Sequence, residues 1–206
     1  EVDLQPRPAN FADAEQHLTA MQADVVLAAF GFNESFAGKT GLPAFRERLT
    51  KYLEGVKVKA YNGKTSARVV LISPIANENV KGVDAADRNN ANIRAYLKVM
   101  KEVAAEQKVG FVDAFTVTEK AMASPGNDLT MNGAHLNEKG YQLFAATLFE
   151  QLFGKEAPEL DEKVRDAVVE KNKQHFFRYR PLNTFYYTGG RNRSYGYLDF
   201  LPAMRN

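Results

Sequence analysis

One histidine of this sequence stands where a general base could act. His135 follows Gly133 and comes just before a predicted helix, on the side of a predicted sheet where the strands end. An imidazole in such a place can take a proton from a hydroxyl that another loop holds. The alternative is a loop histidine whose ring only satisfies backbone groups. His17, on a short polar helix, and His175, at the start of an aromatic segment, have no comparable setting.

A second candidate group follows an unbroken apolar run at residues 25–30. The run stops at Gly31, and the polar residues Asn33 and Glu34 come soon after it. In open α/β sheets, ligands bind in the crevice outside the carboxyl ends of the strands. Gly31, Asn33 and Glu34 are therefore candidate site residues, although Gly and Asn are also common in ordinary strand-to-helix turns.

A third polar group lies in a long loop behind another apolar run. Residues 69–72 predict a buried strand that ends at Ser73, and the loop at 75–87 holds Asn77, Glu78 and Asn79 close to that end. Long loops at this edge of a sheet often carry function. We therefore predict that Asn77, Glu78 and Asn79 contribute to substrate binding.

The elements that must position these groups can be predicted from the apolar pattern. Apolar runs of strand length occupy residues 25–30, 69–72 and 109–115. Amphipathic helical patterns follow them at residues 43–56, 87–107 and 137–153, with a polar loop before the last helix. This alternation predicts parallel βαβ units, so the predicted fold class is α/β. Because the first run has no polar alternation, we predict that it is a central strand buried on both faces.

Composition excludes several classes of function. The 206 residues are 45% hydrophobic and 25% charged, which is a globular balance. A formal net charge of +2 is too small to favour nucleic acid or an anionic membrane as partner. There is no cysteine, no apolar run long enough for a membrane span and no Gly-rich phosphate loop after a strand. The sequence therefore predicts no metal site, no cofactor, no nucleic-acid partner and no membrane span.

Two segments together resemble a known family. Residues 31–34, after the buried run, and residues 132–141, which open the last core helix, resemble blocks three and five of the SGNH (GDSL-type) hydrolases. The resemblance covers about residues 24–152 and implies a three-layer, flavodoxin-like parallel sheet flanked by helices. More closely, the chain resembles esterase-like modules of large multidomain bacterial proteins, in which a stretch like residues 180–206 follows the hydrolase module. That resemblance alone implies an extracytoplasmic location.

The resemblance assigns roles to three residues. It implies that Asn33 donates its side-chain amide to an oxyanion, a role for which a neutral, preorganised N–H donor is suited. It implies that His135 is the general base. The family has an aspartate three residues before this histidine to orient the imidazole, and this chain has Asn132 there. A carboxamide cannot stabilise an imidazolium as a carboxylate does, so Asp128, a carboxylate elsewhere in the fold or the backbone could take over the orienting role.

The family's nucleophile has no counterpart in this sequence. Its serine lies in block one on the first strand, and nothing before Asp24 reads as a strand followed by Gly-Asp-Ser. The fold is therefore expected to be incomplete at the N-terminus, with the nucleophilic serine upstream of Glu1. Ser35 and Ser73 follow predicted strands, but we interpret both as turn or cap serines.

These observations lead to two hypotheses of function. The first is an SGNH-type ester hydrolase domain at residues 1–154 that acts on a small ester or an acylated carbohydrate. The alternative is a non-catalytic binding or docking module of the same fold, which Asn132 and the aromatic tail favour. Residues 155–206 are predicted to form a charged helix and an aromatic extension that lies outside the α/β core and meets adjacent domains of the parent chain.

Overall fold

A computed structural model describes residues 12–124, 126–159 and 161–179 of the chain. Its described strands form one sheet in the order β1-β2-β3, and these are Val25–Ala29, Arg68–Ile72 and Gly110–Val112. Both strand pairs are parallel, with Val26 opposite Val69 and Leu71 opposite Phe111. The predicted parallel α/β sheet is confirmed.

The described helices occur in the order that the apolar pattern predicts, with two additional short ones. They are α1 (Ala14–Ala20), α2 (Phe32–Ser35), α3 (Leu42–Val56), α4 (Ala86–Gln107), α5 (Ala114–Met122), α6 (Glu138–Phe153) and α7 (Glu162–Tyr179). Their ends follow local chemistry: Asp13 accepts the N–H of Gln16 in a capping box before α1, and Asn137 caps α6. Gly154 ends α6 at a φ of +62°, which glycine adopts without strain.

Helices cover both faces of the sheet. On one face, α3 and α4 pack against β1 and β2 through a cluster that includes Val26, Leu71, Phe45, Leu49, Tyr96 and Met100. On the other face, α6 packs against β2 and β3 through Phe144, Leu148, Ile72 and Val112. The result is a three-layer arrangement of the kind that α/β proteins use to bury a parallel sheet.

The strand β1 differs from its prediction. It is an edge strand of the described sheet, and only the face that bears Val26 and Ala28 is buried. On its other face Val25 is 42% exposed and Leu27 is 50% exposed. The prediction of a central strand buried on both faces is wrong because α6 covers this face at β2 and β3, and no described helix covers it at β1.

The segment after β3 also differs from its prediction. The strand ends at Val112, and Asp113 caps a nine-residue helix, α5, where a polar loop was predicted. Tertiary contacts sustain this short helix: the hydroxyl oxygen of Ser73 accepts the N–H groups of Ala114 and Phe115 at 2.9 and 3.0 Å. Both of these residues are buried. Because isolated helices of this length are marginal in water, local pattern alone does not reveal it.

The chain divides into two compact units, residues 1–157 and residues 158–206. The described part of the second unit contains α7, on which Val164, Val168 and Phe176 are exposed. The predictions for the aromatic segment beyond residue 179 lie outside the described residues. No helix in the described ranges is long and apolar enough to cross a membrane. Nor do the described residues contain a group of three or more His, Asp or Glu side chains that could hold a metal ion.

Candidate active site

The ring of His135 lies against the side chain of Asn132. The Oδ1 atom of Asn132 is 3.0 Å from the Nδ1 atom of His135. The same oxygen accepts the backbone N–H of His135 at 3.0 Å and that of Ala134 at 3.2 Å. The loop closes on itself through a hydrogen bond from the N–H of Met131 to the carbonyl of His135, at 2.8 Å.

These contacts determine the proton position on the imidazole. Only an oxygen can accept two backbone N–H groups, so the Asn132 carboxamide cannot be turned the other way round. Its oxygen therefore faces Nδ1, which must carry a proton to donate in the neutral ring. The remaining nitrogen, Nε2, then has its lone pair available. The arrangement suits a general base that takes a proton at Nε2.

A second group of predicted residues lies at the end of β1. Asn33 belongs to the four-residue helix α2 and lines a cavity of about 230 Å³, together with Gly31, Ser73 and Pro74. Gly31 has a φ of +104°, and a β-carbon there would lie 2.9 Å from the sulfur of Met100. The turn thus needs glycine for its conformation and for its close approach to α4.

Glu34 faces the protein interior. Its side chain is buried, and one carboxylate oxygen accepts the N–H of Gly31 at 3.0 Å. Burial raises the pKa of the nearby Tyr96 phenol, the Glu34 carboxylate raises it further, and Arg48 opposes both effects. The hydroxyl of Tyr96 donates to the carbonyl of Gly38 at 3.0 Å. Through its bond to Gly31, the Glu34 side chain therefore stabilises the turn that carries Asn33.

The two serines at strand ends have structural hydrogen bonds. Ser35 is 2% exposed, and its hydroxyl donates to the carbonyl of Phe32 at 2.6 Å. Ser73 is 3% exposed and donates to the carbonyl of Pro74 at 3.0 Å while it accepts the two N–H groups at the start of α5. Their interpretation as turn and cap serines agrees with these contacts.

The predicted substrate-binding residues after β2 line a polar cavity of about 600 Å³ between α4, α5 and the loop at 126–128. Asn77 and Glu78 also form hydrogen bonds to the His135 loop. The side-chain oxygen of Asn79 accepts the N–H of Ala86 at 2.9 Å. All three side chains thus form hydrogen bonds within the protein. That they also bind substrate stays a prediction.

The structure thus forms two groups of candidate residues. It brings Asn132, Asn77 and Glu78 to the loop of His135, and it places Gly31, Asn33 and Glu34 together at the end of β1. His135 lines neither of the two cavities described above. Thr130 lies in the same loop and donates its N–H to Glu78. It was not predicted, because Glu78 lies 52 residues away and no short motif connects the two.

Comparisons with known proteins identify a family and a fold for this chain. The model of a family described as GDSL-like Lipase/Acylhydrolase matches residues 4–143. A variant of Axe2, an acetyl-xylooligosaccharide esterase from Geobacillus stearothermophilus, is similar in structure over 71% of this chain and 67% of its own, with a TM-score of 0.54 and 17% identity. A candidate GDSL-like lipase from Parabacteroides merdae is similar over 65% and 62%, with a TM-score of 0.53 and 21% identity. No curated protein matches the sequence significantly.

Similarity at these identities shows a common fold. The alignments span about two thirds of the length of these two structures, from 62% to 67%. The α/β arrangement of this chain is therefore one that these two proteins also have.

Proposed function

This chain belongs to the GDSL-like lipase/acylhydrolase family, and from that premise we propose that it is an ester hydrolase domain for acyl or acetyl esters. His135 acts as the general base, and Asn33 donates its amide N–H to the oxyanion. The observation that carries the proposal is the contact of 3.0 Å between Asn132 Oδ1 and His135 Nδ1, which leaves Nε2 as the proton acceptor.

The proposed reaction is acyl transfer to a serine and then to water. Nε2 of His135 takes the proton of the attacking hydroxyl, and Asn33 stabilises the negative charge that develops on the carbonyl oxygen. The tetrahedral intermediate collapses, and the alcohol leaves with the proton from Nε2. Water then attacks the acyl-enzyme by the same route. The nucleophile in this proposal is a serine other than Ser35 and Ser73, because both of those hydroxyls are buried and hydrogen-bonded.

Asn132 determines how fast this reaction can be. Its carboxamide orients the imidazole but has no charge with which to stabilise the imidazolium that forms during proton transfer. We therefore expect slow turnover and a requirement for small or activated esters. An acylated carbohydrate is the substrate class we favour, since the similar Axe2 structures come from an acetylxylan esterase.

The test is hydrolysis of an activated acetyl ester, such as 4-nitrophenyl acetate, by the complete gene product in which residues 1–206 occur. His135→Ala should lower kcat by about 10²- to 10⁴-fold, and Asn33→Ala by about 10²- to 10³-fold. His17→Ala is the matched control, since this exposed histidine on α1 should leave the rate unchanged. Turnover that persists in His135→Ala would contradict the proposal.

A non-catalytic binding module is the second candidate, and the neutral Asn132 in the position of an acid favours it. This function predicts that the complete gene product binds acetylated oligosaccharides and hydrolyses none of them. Calorimetric titration with acetylated and deacetylated xylo-oligosaccharides, combined with an assay for released acetate, distinguishes the two functions.

A further inference from the structure

The loop that carries His135 is held by the carboxylate of Glu78, from the connection between β2 and α4. This carboxylate accepts the N–H of Leu129 at 3.0 Å, the N–H of Thr130 at 2.8 Å and the hydroxyl of Thr130. In the described part of the chain, every donor that contacts it comes from these two residues. Hydrogen bonds to a charged acceptor are stronger than neutral ones, so the carboxylate holds this segment firmly.

The hydroxyl of Thr130 links Glu78 to Gly133. While it donates to the carboxylate, its oxygen accepts the N–H of Gly133 at 3.0 Å. The carbonyl of Gly133 accepts the N–H of Glu78 at 2.9 Å and the side-chain amide of Asn77. Both backbone groups of Gly133 are therefore bound, and all three partners belong to one hydrogen-bonded cluster.

Gly133 has no room for a side chain within this cluster. Its φ is +89°, and a β-carbon would lie 2.7 Å from the carbonyl oxygen of Glu78. Asn77 is held in turn by α4, where Asn89 donates to its Oδ1 at 2.7 Å and Asn90 accepts its N–H at 2.7 Å. The cluster thus fixes the position of Gly133 relative to α4, the longest of the described helices.

We propose that Glu78, acting through Thr130 and Gly133, is a positioning residue for the general base His135. Gly133 lies directly between Asn132, whose oxygen orients the ring, and Ala134, whose N–H helps to fix that oxygen. Any displacement of Gly133 therefore changes the Asn132–His135 contact. The catalytic meaning of this role rests on the proposed function, but the positioning itself can be measured without any substrate.

The test is nitrogen-15 NMR of the His135 ring in the chain 1–206, at a pH well above the usual imidazole pKa of about 6.5. The chain without substitutions, called the parent in these tests, should show the Nδ1–H tautomer. Glu78→Gln, which places an amide group where only acceptors fit, should give a mixture of tautomers and at least about tenfold faster exchange of the Thr130 and Gly133 amides. Glu119→Gln is the matched control, because Glu119 lines the same cavity and pairs with Arg94.

A second pair of variants keeps the proposal testable if Glu78→Gln does not fold. Thr130→Val removes the linking hydroxyl at almost constant volume and should reproduce the mixed tautomers. Thr130→Ser keeps the hydroxyl and should behave as the parent does. A folded Thr130→Val chain with the tautomer and amide exchange of the parent would overturn the proposal.

Activity of the complete gene product separates this proposal from the proposed function. If the protein is an esterase and Glu78 positions the base rather than contacting the substrate, Glu78→Gln should lower kcat by roughly 10- to 100-fold with little change in KM. If the parent protein hydrolyses no ester, the proposed function fails, and the NMR result still decides whether Glu78 positions the ring.

Discussion

At the scale of single residues, the hydrogen bonds around Asn132 decide which end of its carboxamide faces the ring of His135. An isolated asparagine beside a histidine could present either its oxygen or its nitrogen to the ring. Here the N–H groups of Ala134 and His135 bind the oxygen and remove that freedom. Asn132 therefore holds the orientation of the imidazole ring but places no negative charge beside it.

The ionised side chain of Asp113 is expected to stabilise the folded state. Burial alone would raise the pKa of this carboxyl, but hydrogen bonds from Lys101 and Thr116 outweigh burial and hold the pKa below its usual value. A carboxyl whose pKa is lower in the folded state adds stability above its unfolded pKa of about 3.9, and this stability is lost as pH falls through the folded pKa.

We predict that Asp113→Asn makes the melting temperature less dependent on pH in the acidic range. Between pH 6 and pH 3, the melting temperature of the parent chain should fall further than that of the variant. Thermal unfolding followed by circular dichroism at a series of pH values measures this difference. Asp84→Asn, at an exposed position, is the control and should follow the parent. Parallel curves for Asp113→Asn and the parent would contradict the prediction.

At the scale of elements, the start of α6 and the His135 loop form one joined unit. The side-chain oxygen of Asn137 accepts the N–H of Gly140 at 3.0 Å, and its amide donates to the carbonyl of Asp128 at 2.8 Å. A β-carbon at Gly140 would lie 2.2 Å from the carbonyl oxygen of Leu129, so the first turn of α6 touches the loop directly. Stability of the helix and position of the loop are therefore linked.

Replacement of the α6 cap should destabilise this unit. We predict that Asn137→Ala lowers the free energy of unfolding by about 1–2 kcal/mol, because it removes both the cap and the bond to Asp128. Asn137→Asp keeps the capping oxygen and should cost less. Urea unfolding of the three chains measures the difference. An equal loss in both variants would show that the cap contributes little.

At the scale of the whole molecule, α4 supports both groups of candidate residues. Near its start, Asn89 and Asn90 hold Asn77 under the His135 loop. About three turns further on, Met100 lies under Gly31 at the turn of Asn33. One rigid helix thus sets the positions of residues that are far apart in sequence.

The first compact unit should be stable without the second. The apolar clusters of residues 1–157 draw their members from residues 18–152, so that unit contains its own core. Changes outside a core usually alter the free energy of unfolding by less than about 0.5 kcal/mol. We therefore predict that a chain ending at Ala157 has a melting temperature within about 2 °C of that of the full chain. Differential scanning calorimetry measures this. A much lower melting temperature would show that residues 158–206 are integral to the core.

The sequence by itself was enough to determine the order of the strands and of the longer helices, the parallel sheet and the caps at Asn137 and Gly154. Apolar periodicity and capping chemistry act over a few residues, so they can be read without a structure. The resemblance of two short blocks likewise identified the family, which the family match confirms. Only the tertiary structure decided that one face of β1 is exposed and that α5 replaces a loop.

The same division holds within the candidate site. Sequence reasoning found His135 and its neighbour Asn132, because they are three residues apart in one motif. It predicted Glu34 as a substrate contact. This residue lines the cavity at the end of β1 and its carboxylate accepts the N–H of Gly31, so substrate binding by Glu34 stays a prediction. It missed Thr130 altogether. The physical reason is that a carboxylate's partners depend on which backbone N–H groups the fold brings to it, and for Glu78 these come from residues about fifty positions away.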